Sequence, residues 1–106
     1  MEVDTKDVEG GVQLLLKGEL DLSTIDKVEQ ELTRLEDERH ELIVLDLSGL
    51  TFLDSTGLRV IVTADQRARR SGRRLVVRKG PDTVHRVFTI TRLDERLEMV
   101  DDVSSL

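Results

Sequence analysis

A run of six residues, L-I-V-L-D-L at 42–47, limits the fold of this chain more than any other feature. A strand that is apolar at successive positions, rather than at every second one, is typical of a parallel sheet with both faces covered. The run therefore predicts a central strand of such a sheet. Its single acid, Asp46, must then reach a strand edge or a hydrogen-bond partner, because an unpaired buried carboxylate would cost several kcal/mol.

The residues before this run predict a hairpin and a helix. Apolar and polar residues alternate over 3–5 and again over 12–16, with glycines between them for the turn. Gly18 is expected to end the second strand. A helix is then expected to begin at Ser23, with Asp26 three residues on in an arrangement close to a capping box. Its apolar residues share one helical face: Ile25, Val28, Leu32 and Leu35.

The residues after the run predict two more helices and two short strands. A helix follows from Leu58 and ends near Gly72, where a left-handed C-cap is expected. Residues 75–77 form a short strand, Pro81 opens a third helix at its first position, and residues 97–100 form the last strand. The order β-β-α-β-α-β-α-β predicts a single small α/β domain over residues 1–106. Its sheet is mixed but mostly parallel, with an N-terminal hairpin and packed helices.

Composition argues against several classes of function. The 106 residues include no Cys, Trp or Tyr, which argues against a disulfide framework, a Cys-ligated metal and an aromatic base-stacking surface. His40 and His85 are far apart and lack ligand spacing, so neither a metal nor a cofactor is expected. No signal peptide or membrane span is visible, and a cytoplasmic protein without membrane contact is the expectation.

Polar residues collect where two predicted strands end, at 18–24 and 48–57. In the second segment, Asp54 or Ser55 is placed to cap the following helix. A serine at a helix N-terminus can also carry a phosphate, since backbone N–H groups and the helix dipole offset the added charge. Asp21 and Asp46 are expected near Ser55, so that a phosphate there would change the surface potential and leave the backbone intact.

These two segments resemble a known family. G-E-L-D at 18–21 followed by Thr24, and I-V-L-D-L-S-G-L-T-F-L-D-S-T-G-L at 43–58, are similar to the STAS-domain anti-sigma factor antagonists of bacteria. The resemblance covers nearly the whole chain, and D-S-T-G-L is its most specific part. It implies that the unphosphorylated protein binds an anti-sigma factor that is also a serine kinase, and so frees a sigma factor. Phosphorylation then releases the antagonist, and a metal-dependent serine phosphatase resets it.

The resemblance also implies which residues act. Ser55 matches the phosphorylated serine, and Thr56 is a possible second phosphoacceptor. The expected partner-binding residues are Asp21, Ser23, Thr24, Asp54, Ser55, Thr56 and Gly57. No base is placed in the sequence to activate Ser55 from within, so no catalytic residue and no enzymatic activity are expected.

Other hypotheses remain open at this point. The chain could be a STAS scaffold subunit of a signalling or lipid-transport complex, since fold does not fix function. A small nucleotide-binding or hydrolytic protein is disfavoured by the absence of a phosphate-cradling motif. Asp21, Asp46 and Asp54 could instead form a magnesium pocket like that of a response-regulator receiver.

Charge is distributed unevenly along the chain. Residues 1–58 carry 5 Lys and Arg against 15 Asp and Glu, whereas residues 59–106 carry 11 against 7. The basic stretch 59–79 could suggest nucleic acid. It lacks stacking aromatics and a helix-turn-helix pattern, so no direct nucleic-acid binding is expected, and a solvated helix face or an acidic partner is favoured.

Overall fold

The computed structural model describes residues 1–106, except for the side chain of Ser105. Five strands form one sheet in chain order, with β1 antiparallel to β2 and the other neighbours parallel. The strands are β1 (Glu2–Val8), β2 (Gly11–Leu20), β3 (Leu42–Leu53), β4 (Arg74–Arg78) and β5 (Glu98–Val100). The helices are α1 (Ile25–Asp37), α2 (Ser55–Arg70) and α3 (Asp82–Ile90), followed by a 3-10 turn at Leu93–Glu95. This confirms the predicted fold class and element order, with β3 in the centre.

All three helices pack on the same face of the sheet. Each one joins a strand to the next parallel strand in the same direction, and right-handed crossovers in one direction fall on one side. Val28, Ile61 and Phe88, one from each helix, accordingly share a single hydrophobic cluster with Leu45 of β3. The prediction that both faces of the central strand are covered is confirmed, since the adjacent residues Val44 and Leu45 are both fully buried, but helices cover only one of these faces. A continuous apolar run does not reveal which neighbours bury its second face.

Asp46 lies on the face of the sheet without helices and is still only 1% exposed. Its carboxylate accepts hydrogen bonds from Gln13 Nε2 at 2.7 Å, Ser48 N at 2.8 Å and Arg78 Nη1 at 3.1 Å. Burial alone would raise the pKa of Asp46, but the bonds from Ser48 and Arg78 outweigh it and lower the pKa. The expectation that this acid has partners is confirmed.

Strand β2 continues beyond Gly18, where it was predicted to end. Gly18 has φ +113°, and the register with β3 shifts between Gly18 and Glu19, so the glycine forms a bulge inside the strand. The two strands then run on together until Leu20 pairs with Leu53. As a result, the loops that follow β2 and β3 start side by side.

The helices follow the predicted patterns, with small differences at their starts. The four apolar residues of the predicted α1 stripe are all buried. Gly72, just beyond α2, has φ +70°, as expected for a left-handed C-cap. Pro81 is the N-cap of α3 rather than its first residue.

Candidate functional site

Two loops meet at the carboxyl ends of β2 and β3. Asp54 N donates a hydrogen bond to Leu20 O at 3.2 Å, and Leu22 N donates to Asp54 Oδ2 at 3.3 Å. Residues 21–24 and 54–57 therefore form one continuous surface, which we call the loop surface. All seven residues predicted to bind a partner belong to it.

Asp54 is the N-cap of α2. Its backbone is extended (φ −99°, ψ −178°), and its Oδ1 accepts a hydrogen bond from Gly57 N at 2.9 Å. Because Oδ2 accepts from Leu22, both carboxylate oxygens are in use: one holds the helix start and the other holds the neighbouring loop. Of the two candidate caps, the structure selects Asp54.

Ser55 is the first residue of α2 and is exposed. Its hydroxyl forms no hydrogen bond with the part of the chain that the structure describes, whereas Asp54 beside it is fully engaged. Thr56 is half-buried. Ser55 is thus the more accessible of the two hydroxyl groups.

A network inside the first loop fixes its shape. Asp21 Oδ1 accepts from both Ser23 N at 3.0 Å and Ser23 Oγ at 2.6 Å. Thr24 Oγ1 accepts from Asp21 N at 3.0 Å and donates to Glu19 O at 2.8 Å. Hydrogen bonds, chiefly from the Ser23 hydroxyl and also from Thr24, lower the pKa of Asp21.

The same network corrects the predicted start of α1. The helix begins at Ile25, and Thr24 at its N-cap position makes no side-chain capping bond. The Ser23 hydroxyl, expected to cap the helix, donates to Asp21 instead. A short polar side chain that can bond its own loop does not need a helix terminus.

Gly57 allows α2 to start close to β2. A Cβ at this position would lie 2.7 Å from Leu53 Cδ1 and 2.8 Å from Leu20 Cγ. Any side chain here would push α2 away from the end of β2. Gly57 therefore contributes to the loop surface by permitting this close approach.

Asp46 does not join the loop surface, which corrects its predicted position near Ser55. It lies seven residues before Leu53 in β3, which corresponds to about 23 Å along an extended strand. Asp21, also predicted near Ser55, lies in the loop that is hydrogen-bonded to Asp54, the residue before Ser55. The receiver-like arrangement of Asp21, Asp46 and Asp54 is therefore not formed. Among the described residues, no group of three His, Asp or Glu side chains could hold a metal ion.

Two apolar side chains at this edge were not among the site residues predicted from the sequence. Leu22 is 74% exposed within the first loop, and Phe52 is 49% exposed where β3 pairs with Glu19. Leu22 could have been identified from the sequence, because it is a single apolar residue between the polar residues Asp21 and Ser23. Exposed apolar side chains beside polar groups are a common feature of protein interfaces.

The basic stretch 59–79 is largely neutralised within the chain. Arg67 pairs with Glu36, Arg74 with Glu98, and Arg78 with Asp46. Further pairs are Arg69 with Asp65 and Lys79 with Asp101. This surface therefore carries much less unpaired positive charge than the composition of the stretch indicates.

A small cavity of about 200 Å³ lies far from the loop surface, at the other end of α2. Ile43, Ala64 and Leu75 are among its apolar lining residues. Arg73 and Arg67 also line it, and both are bound to Glu36, by Nη1 to the backbone oxygen and by Nε to the carboxylate. The cavity shares no lining residue with the loop surface.

The fold agrees with comparisons to known proteins. The family model described as "STAS domain" matches residues 2–106, and the chain belongs to this family. No helix in the part of the chain that the structure describes is long and apolar enough to cross a membrane.

Individual relatives carry related names. The chain is 29% identical over 99 residues to the anti-sigma-B factor antagonist of Listeria monocytogenes, a match that covers 93% of this chain and 86% of that protein. A putative anti-sigma factor antagonist from Thermotoga maritima has a similar structure, with a TM-score of 0.90 and 25% identity, covering 97% of this chain and 89% of that one. SpoIIAA of Bacillus in its phosphorylated form shares the fold, with a TM-score of 0.74 and 16% identity over 98% of this chain and 96% of that one.

Proposed function

We propose that this chain is an anti-sigma factor antagonist whose binding is switched off by phosphorylation of Ser55. The observation that carries the proposal is the state of Ser55: it is exposed, it starts a helix, and its hydroxyl is free within the described part of the chain. The names of the relatives from Listeria and Thermotoga support the antagonist role. The phosphorylated form of SpoIIAA supports a phosphate on this fold.

In this proposal the loop surface is the docking face. Leu22 is an exposed apolar group inside a loop that is already fixed by hydrogen bonds, so little ordering entropy is lost when a partner covers it. A phosphate on Ser55 adds a charge of about −1.5 to −2 to the same face. Covering that charge would require its desolvation beside Asp54 and Asp21, which opposes binding.

The phosphate acts on the partner rather than on the fold. Ser55 is at the N-terminus of α2, where negative charge is favourable, and Asp54 already holds the helix start. The chain therefore acts as a binding protein and not as an enzyme. Its partners are a serine kinase that serves as the anti-sigma factor and a serine phosphatase. The chain and both partners act in the cytoplasm. Thr56 is a possible second phosphoacceptor.

The experiment compares baits in a pull-down with the purified anti-sigma kinase of the source organism. The baits are wild type, Ser55→Ala, Ser55→Asp and, as a matched control, Thr89→Asp, which adds the same charge at an exposed position on α3. We expect all but Ser55→Asp to retain the kinase. With kinase and ATP, wild type should gain one phosphate, and Ser55→Ala should gain none unless Thr56 is also modified.

Two results would contradict the proposal. Equal retention by all four baits would make Ser55 an ordinary first helical residue and would favour the scaffold hypothesis. Phosphorylation of the isolated protein by ATP alone would mean that the chain has a catalytic activity of its own.

A further inference from the structure

Arg59 lies one helical turn after Ser55 on α2. It is exposed, and it forms no ion pair or side-chain hydrogen bond with the described residues. Residues four apart on a helix are neighbours, with Cβ atoms about 5–6 Å apart, and long helical side chains point back toward the N-terminus. An arginine at position 59 is therefore long enough to reach back over the turn that begins with Ser55.

We propose that Arg59 captures the phosphate on Ser55 in a charge-assisted hydrogen-bonded pair within the chain. The inference rests on the proposed function only because that function includes the phosphorylation of Ser55. The order matters: an acidic group four residues before a basic one has the favourable orientation on a helix. Arginine also presents several N–H donors in a plane that matches phosphate oxygens.

The charged groups around Arg59 leave it available for this role. Glu29 of α1 and Arg67 of α2 line the same groove as Arg59, but Glu29 forms no ion pair with it within 4 Å, and Arg67 pairs with Glu36. Of the two acids on the loop surface, Asp21 is already hydrogen-bonded to Ser23. The other is Asp54. Both of its carboxylate oxygens already accept backbone N–H groups, so it competes weakly for a guanidinium.

When Arg59 binds the phosphate, phosphorylation of Ser55 changes the docking face in two ways. The phosphate adds negative charge, and Arg59 is withdrawn from contact with any acidic group of a partner. A single modification at Ser55 therefore removes one attractive group while it introduces a repulsive one. Partner discrimination commonly combines these two effects.

The test uses the full chain with phosphoserine installed at position 55 during synthesis, so that no kinase is needed. The second pKa of the phosphate is measured by phosphorus NMR in wild type, Arg59→Gln, Arg59→Lys and Arg70→Gln. Arg70 is the matched control: it is an exposed arginine on the same helix, about 22 Å from Ser55, with no ion pair among the described residues.

We expect the phosphate pKa to be about 0.3 units higher in Arg59→Gln than in wild type, by the size of an exposed i,i+4 ion pair. Arg59→Lys should lie between the two, and Arg70→Gln should match wild type. Added salt should reduce the difference.

An identical phosphate pKa in wild type and Arg59→Gln would overturn the capture while leaving the proposed function intact. An equal rise in Arg59→Gln and Arg70→Gln would also overturn it, since the effect would then come from net charge. Conversely, if Ser55→Asp retains the kinase in the pull-down, the proposed function fails and the phosphate pKa still decides the capture.

Discussion

Replacing Asp54 by Ala tests whether this side chain holds the loop surface together. The variant removes the capping bond to Gly57 N at 2.9 Å, which typically contributes about 1 kcal/mol. It also removes a carboxylate from a helix N-terminus, a contribution of about 0.3–1 kcal/mol. The bond from Leu22 N, at 3.3 Å and exposed, adds little. We expect a loss of about 1.5–2 kcal/mol in the free energy of unfolding, or roughly 10 °C in the melting temperature.

Asp82→Ala is the matched control for this experiment. Asp82 is in the first turn of α3 and carries the same charge, but it has no side-chain capping bond, and the N-cap there is Pro81. This control should lose only the interaction with the helix dipole, about 0.5 kcal/mol. The remaining difference of about 1 kcal/mol between the two variants measures the bonds that Asp54 makes.

The assay is urea unfolding followed by far-ultraviolet circular dichroism, because the chain has no Trp or Tyr to serve as a fluorescent probe. Asp54→Ser should recover most of the loss, since serine also caps helices well. If Asp54→Ala and Asp82→Ala unfold within 0.3 kcal/mol of each other, about the scatter of such measurements, the capping argument is refuted.

Two further predictions concern buried positions. Asp46→Asn should cost about 1–3 kcal/mol at pH 7, since an amide cannot accept from all three donors around Asp46. The pKa of Asp46 is lowered in the fold, so its contribution is complete above the unfolded value near 3.9 and disappears as the pH falls through the lower folded value. Urea unfolding at pH 7 and pH 2.5 should therefore show the gap to wild type closing in acid, and a constant gap would contradict this account. Gly57→Ala should destabilise by about 1–2 kcal/mol although Ala favours helices, because its Cβ would meet Leu20 and Leu53, and a more stable variant in the same assay would disprove that contact.

The fold was predictable because its main signals are periodic. The apolar stripe of α1 and the apolar run of β3 each define an element without reference to the rest of the chain. Their spatial relation was harder to predict. The continuous run in β3 indicated cover on both faces, but the second face is closed by side chains of neighbouring strands around Asp46, which only the strand pairing reveals.

The candidate site shows the same division between local and tertiary information. Asp54 and Ser55 could be placed at a helix start from their own neighbours in sequence. Asp46 could not be placed relative to them, because its distance depends on how far β3 extends. Gly18 was interpreted as a strand end, since a glycine in a bulge and a glycine in a turn look alike in the sequence.

Asp54 and Ser55 have separate roles at the start of α2, and this explains how a phosphate could act without changing the fold. A helix start needs a cap, and a phosphoacceptor needs a free hydroxyl, so one residue cannot serve well as both. Here Asp54 caps the helix with one oxygen and holds the next loop with the other, and the hydroxyl of Ser55 has no hydrogen-bond partner among the described residues. Most arginines of the following stretch form ion pairs, whereas Arg59 forms none with the part of the chain that the structure describes. The unpaired hydroxyl and the unpaired guanidinium lie one turn apart, so a charge added at Ser55 changes the surface while the backbone contacts beneath it remain.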